Sequence, residues 1–166
     1  MSNQRTELLR KNFLFRELND HELEMLSAVC TEEVHPAGKS IVTEGETGHE
    51  LYLVLKGGVN IVKGENQSFL SYIGGGGYFG EMAVFMEEAV RTASCVAAME
   101  TATLKLDRAT IDEFCEKHPH AGVRIYRAIV KALAERLQAT SGDLAMLMKA
   151  QIMDQSRISN VVSQKK

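Results

Sequence analysis

The sequence is short of the features that would mark it as a cross-linked, metal-dependent or membrane-inserted protein. It has three cysteines, Cys30, Cys95 and Cys115, an odd number without metal-ligand spacing and set in apolar or helical patterns. Reduced thiols in a cytoplasmic protein are expected. Neither sign of charge dominates: the formal net charge is -3 and the sequence pI about 6.0, so no nucleic-acid or membrane surface is expected. There is no uninterrupted apolar run long enough to span a bilayer, and the polar stretch from Met1 to Lys11 lacks an apolar core of signal-peptide type. The histidines are scattered. His35 and His49 are isolated, and His118 and His120 flank Pro119 without a third ligand nearby. That argues against a cupin-like metal barrel and leaves no catalytic constellation, so an enzyme is not expected and no cofactor or metal is assigned. At 166 residues the chain suits one domain with an appendage.

What the chain does contain is concentrated between Gly74 and Ser94, GGGGYFGEMAVFMEEAVRTAS. Four successive glycines can take positive φ and let another atom approach the backbone, so a tight turn is expected there, opening a backbone cradle for one anionic group. Tyr78 and Phe79 supply a short apolar anchor, and Gly80 to Phe85 reads as one helical turn whose first amides suit an anion. A carboxylate at Glu81 would repel a phosphate but can accept hydrogen bonds from hydroxyls such as a ribose 2′-OH. Arg91 follows a short acidic loop, and its planar fork matches two phosphate oxygens; Thr92 adds a hydroxyl and an amide.

Around this stretch the period of the chain changes twice. Residues 6 to 30 read as two helices, the second capped by Asn19 or Asp20. From Thr31, short strand candidates follow one another: Glu33–His35, Ser40–Thr43, Leu51–Leu55, Val59–Val62, Phe69–Ile73, Ser94–Ala98 and Ala102–Leu106, separated by glycine turns. Many short strands joined by such turns predict a mainly β fold of jelly-roll type. Asp107 caps a helix through Thr110–Cys115 that ends before Pro119. Tyr126, Val130, Leu133, Leu137, Thr140, Leu144 and Leu147 then form a heptad seam, which predicts one long helix to about Met153 with an exposed apolar stripe, a break or hinge near Gly142, and a frayed tail.

Gly80-Glu81-Met82-Ala83 followed by Arg91-Thr92-Ala93-Ser94 closely resembles the phosphate-binding cassette of the cyclic-nucleotide-binding domain, in the spacing of the cyclic-AMP receptor protein. Phe15-Arg16-Glu17-Leu18 and the run IVTEGETGHELYLVLKGGV from Ile41 to Val59 resemble the same domain, with Gly38, Gly45, Gly48 and Gly57 at its turn positions. The resemblance covers roughly residues 8 to 150. It implies a jelly-roll β-barrel over 31–106, with the cassette at 74–94, an N-terminal helical segment over 1–30, lid or dimerisation helices over 107–153 and a tail over 154–166. Glu81 would accept the ribose 2′-OH and Arg91 would partner the cyclic phosphate. Gly80, Met82, Ala83 and Ala93 would line the cassette, and Thr92 would contact phosphate or base. Thr140 and Ser141 match the receptor protein's base-contacting pair; counted from Pro119 they fall about one helical turn late, which leaves Leu133 or Arg136 as the alternative base cap.

The resemblance implies a stand-alone cyclic-nucleotide sensor that signals through its C-terminal helix to a downstream protein, without direct DNA binding, as a homodimer through that helix. Cyclic AMP is the expected ligand because the helix looks receptor-like; cyclic GMP stays open, because a hydroxyl after the cassette arginine also occurs in guanine-preferring kinase sites. The alternative is an interaction scaffold of the same fold that binds no cyclic nucleotide.

Overall fold

The computed structural model describes residues 2–163; the side chains of residues 2–4, 83, 85, 144, 147 and 150–163 lie outside the described set. Two units divide the chain, Met1–Ala128 and Ile129–Lys166.

In the first unit, helices α1 (Ser2–Lys11) and α2 (Asp20–Val29) precede the strands. Asn19 caps α2 in a complete capping box, its side chain accepting from the Glu22 amide while the Glu22 carboxylate accepts from the Asn19 amide. The strands are β1 (Thr31–His35), β2 (Ser40–Val42), β3 (Glu50–Lys56), β4 (Gly58–Lys63), β5 (Ser68–Gly74), β6 (Tyr78–Phe79), β7 (Ser94–Ala97) and β8 (Thr101–Asp107). They form two antiparallel four-stranded sheets, ordered β1-β8-β3-β6 and β2-β7-β4-β5. This is the predicted mainly β jelly roll with flanking helices, and the predicted strands are all found. The addition is β6: two residues are too few for any period, and only pairing of Tyr52 with Phe79 and of Leu53 with Tyr78 makes them a strand.

Strand β3 explains how the sheets are filled. Its even positions Tyr52 and Val54 join Val42, Val59, Phe79 and Cys95 in the core between the sheets, with Tyr52 stacked on Phe79 at 5.1 Å. Its odd positions Leu51 and Leu53 are equally buried, as are Leu104 and Leu106 beside them in β8, along which helix α4 (Arg108–Lys117) packs. A strand buried on both faces reads as a continuous apolar run, which is what Leu51–Leu55 shows. Asp107 caps α4 as predicted, accepting from the Thr110 amide at 2.8 Å.

The glycine run forms the expected tight turn, and its own amides take no part in an anion cradle. Gly74 ends β5, Gly76 takes φ 85°, and the amides of Gly76 and Gly77 donate to Val54 O and Gly74 O at 2.8 and 3.0 Å. Buried Asn12 holds this turn from the N-terminal segment, its Nδ2 donating to Gly76 O at 2.8 Å. Amides spent on the protein's own carbonyls are not offered to an anion, so the anion-facing part of the stretch begins at Gly80.

Helix α5 (Pro119–Ser163) starts on Pro119, whose missing N–H costs nothing at a first helical position. It runs on through Gly142 and past Met153 to Ser163, so the break predicted near Gly142 is not seen in the backbone; the last three residues of the predicted tail, 164–166, lie outside the described residues. A single glycine costs about 1 kcal/mol and extension of an existing helix needs no new nucleus. In the second unit Ile129 and Ala132 are buried, Val130 and Leu137 are exposed, and the seam positions Leu144 and Leu147 lie outside the described side chains.

Candidate functional site

Helix α3 (Glu81–Phe85) follows β6 directly, and Gly80 at its start has φ 85°, a left-handed value that a side chain would strain. Space excludes a side chain too, because a Cβ on Gly80 would stand 2.5 Å from Glu50 O and 3.0 Å from Arg91 Nη1. The start of α3 has no side-chain cap. Glu81 begins the helix almost fully buried, at 2% exposure. Met82 points outward, half exposed, and the Ala83 side chain lies outside the described set.

Arg91 is brought to Gly80 by the loop between β2 and β3. The Gly45 amide donates to Arg91 O, the Arg91 amide to Glu46 O and the Gly48 amide to Ala89 O, at 2.9, 2.9 and 3.1 Å. Thr47 and Val90 form a bridge between them, and the Glu44 amide donates to Ser94 Oγ at 2.9 Å. The loop thus acts as a second edge for residues 89–94. Gly48 is needed for more than a turn: a Cβ there would lie 2.7 Å from Arg91 Nη2.

The Arg91 side chain is 7% exposed. Its Nη1 donates to Glu50 O at 3.1 Å and its Nη2 to Glu50 Oε2 at 2.6 Å. Glu50 is the site residue that the sequence reading missed. The signal was present: with Tyr52 and Val54 facing inward, Glu50 two residues earlier faces inward too, and an inward carboxylate at a strand start asks for a cation. Charge converges on this end of the core. Burial pushes the Cys95 thiol up to about 12, with Arg91 drawing it down and Glu81 pushing it up, so both charges act on one buried sulfur. Burial likewise raises the Tyr52 hydroxyl, with Glu50 raising it further and Arg91 lowering it.

The structure therefore brings Gly80, Glu81 and Arg91 together with Gly48 and Glu50. Thr92 is exposed and Ala93 half-buried beside Arg91 in sequence. The four base-cap residues are on α5 in the second unit: Leu133 is half-buried, Arg136, Thr140 and Ser141 are exposed, and Thr140 Oγ1 donates to Arg136 O at 2.9 Å. Among the described residues no group of three His, Cys, Asp or Glu is placed to hold a metal ion, and no helix is long and apolar enough to cross a membrane.

The family model for the cyclic nucleotide-binding domain matches residues 32–118. The chain is 26% identical over 145 residues, 86% of its length, to a CRP-like cAMP-activated global transcriptional regulator of Mycobacterium tuberculosis. It is 33% identical over 97 residues, 58% of its length, to 11% of a cGMP-dependent protein kinase of Plasmodium berghei. The crystal structure of the Thermus thermophilus catabolite activator protein superposes with a TM-score of 0.72 at 29% identity, covering 82% of this chain and 63% of that one. The chain spans about three fifths of the bacterial regulators it matches, 62% and 61% of their lengths.

Proposed function

The chain belongs to the cyclic nucleotide-binding domain family, and from that premise we propose that it is a regulatory sensor of cyclic nucleotides, with cyclic AMP as its preferred ligand. The carrying observation is Arg91: a guanidinium 7% exposed, fixed from the β2–β3 loop and set against a left-handed glycine at the start of α3. A cation so placed is costly to bury and suits a phosphate that completes its hydrogen bonding. In this reading the cyclic phosphate takes Arg91, Glu81 accepts the ribose 2′-OH, and binding is read out as a population shift in helix α5. The preference for cyclic AMP draws on the bacterial regulators that share most of this chain; the likeness to a cyclic GMP-dependent kinase makes cyclic GMP the competitor to test. Binding, not catalysis, is the proposed activity. The exposed positions Val130 and Leu137, a heptad apart, support a homodimer through α5. Three buried free thiols suit a reducing cytoplasm.

The test is calorimetric titration of nucleotide-free protein with cyclic AMP and cyclic GMP in parallel. Saturable binding, tighter for cyclic AMP, is expected. Arg91→Ala should lose affinity by at least about a hundredfold, since it removes the charged donor of the phosphate and leaves that anion unpaired in a largely buried place. Unchanged affinity in that variant overturns the phosphate assignment, and a wild-type chain that binds neither nucleotide is a scaffold of the same fold.

A further inference from the structure

The pair formed by Arg91 and Glu50 raises a question that the phosphate site alone does not answer, because the cation meant for the ligand already has a carboxylate on it. The Nη2 donor is taken by Glu50 Oε2 at 2.6 Å, and Nη1 by the backbone oxygen of the same residue at 3.1 Å. The two contacts differ in kind. The second is a fixed feature of strand β3, while the first depends on a side chain that can turn. Exposure shows which way it can go: Arg91 is 7% exposed and the Glu50 side chain 36%, so the carboxylate lies on the solvent side of the guanidinium. Backbone crowds the guanidinium elsewhere, since an added Cβ would stand 2.7 Å from Nη2 at Gly48 and 3.0 Å from Nη1 at Gly80. An anion arriving at Nη2 therefore meets Glu50 in its place.

We propose that Glu50 is an exchangeable counter-ion of Arg91 and a specificity-determining residue, which makes the site accept a singly charged phosphate diester and reject a doubly charged monoester. The proposal rests on the reading of Arg91 as a phosphate ligand. A monoanionic diester replaces one carboxylate contact by one phosphate contact, and Glu50 turns to water. A dianion adds a further negative charge to a place where the guanidinium already carries the Glu50 carboxylate, with buried Glu81 acting on the same Cys95 sulfur as Arg91. Like charges a few ångströms apart in partly desolvated surroundings repel strongly, and weakening either carboxylate should relieve the dianion most. Glu81 cannot be the discriminating group if it is engaged by the ribose, which leaves Glu50.

The experiment measures displacement of a fluorescent cyclic nucleotide at pH 8, where a phosphate monoester is fully dianionic, by three ligands: cyclic AMP, adenosine 5′-monophosphate and its singly charged methyl ester. For the wild-type chain the methyl ester should displace the probe at least about tenfold better than the monophosphate, although both are acyclic and the ester is bulkier. This arm needs no variant. In Glu50→Gln, which keeps an oxygen for Nη2 to donate to, the monophosphate should gain about tenfold more than cyclic AMP and the gap to the methyl ester should close. Glu50→Asp, which keeps the charge, should retain the wild-type order, and so should Glu65→Gln, a charge removed at the exposed β4–β5 turn. Equal binding of monophosphate and methyl ester to the wild-type chain overturns the proposal. So does an unchanged ratio in Glu50→Gln, or weaker binding of every ligand, which would make Glu50 a support for Arg91. If the wild-type chain does not bind the probe, the sensor reading falls and this proposal with it; if it binds and only the ratios fail, the sensor reading stands.

Discussion

A methyl group added at Gly48 would meet the tip of the Arg91 side chain at 2.7 Å, whereas one added at Gly57 would meet backbone, Glu100 O, at 2.5 Å. The first obstacle can move and the second cannot. Gly57 also sits at φ 85°, a left-handed value. Gly57→Ala should therefore destabilise the fold by about 2 kcal/mol or more, and Gly48→Ala by under about 1 kcal/mol. For binding the order reverses: Gly48→Ala displaces the guanidinium and should weaken cyclic-nucleotide affinity about tenfold or more, a loss visible by titration at unchanged melting temperature. At this scale Glu81 and Arg91 were legible because a motif carries them at a fixed spacing. Glu50 was missed: strand alternation showed that it faces inward, but its partner is 41 residues away and only the fold sets the two side by side. The glycines at 45 and 48 were read as turn residues, which is half of what Gly48 does.

The second helix depends on one carboxylate that does two jobs. Glu22 accepts the Asn19 amide in the capping box with one oxygen, at 2.8 Å, and pairs with Arg124 of α5 through the other. Burial pushes its carboxyl up, but the Asn19 amide and the Arg124 guanidinium outweigh that and hold it below its usual value of 4.5. A carboxyl depressed in the fold stabilises fully above the unfolded value and loses that contribution as pH falls through the folded one. Glu22→Gln should thus cost about 1 to 2 kcal/mol at pH 7, discounted because Arg124 is 32% exposed, and the deficit should shrink as pH falls below 4.5. Urea melts of both chains across that range measure it. The capping box was half legible, since Asn19 stands three residues before Glu22; the ion pair, 102 residues apart, was not. Strands with their own period were read from sequence within about two residues; the first helix begins at Ser2 rather than residue 6 and α5 runs to Ser163 rather than Met153, and β6, too short for a period, exists only through its partner strand.

For the whole molecule, the described seam of the second unit shows Val130 66% and Leu137 69% exposed, large apolar side chains one heptad apart on one face. Sedimentation at rising concentration should show a dimer, and Leu137→Glu should weaken it by about a hundredfold, because two carboxylates would face each other across the seam. A chain monomeric at every concentration would sink the homodimer. The heptad was visible in the sequence, since it is a local repeat; that α5 runs unbroken through Gly142 was not, because a glycine's cost is set against the stability of the rest of the helix.

By itself the sequence determined the segments that become helices and all strands but β6, that the strands pack as a jelly roll, and that Gly80, Glu81 and Arg91 stand at the spacing of the family's cassette motif. Those properties reside in local period, turn chemistry and spacing, which a linear chain displays. The tertiary structure decided that the amides of the expected glycine turn are spent on the protein's own carbonyls, that Gly48 makes room for a guanidinium, and that Glu50 pairs with Arg91. Each depends on residues far apart in the chain meeting in space, where sterics and charge act over a few ångströms regardless of separation along the backbone.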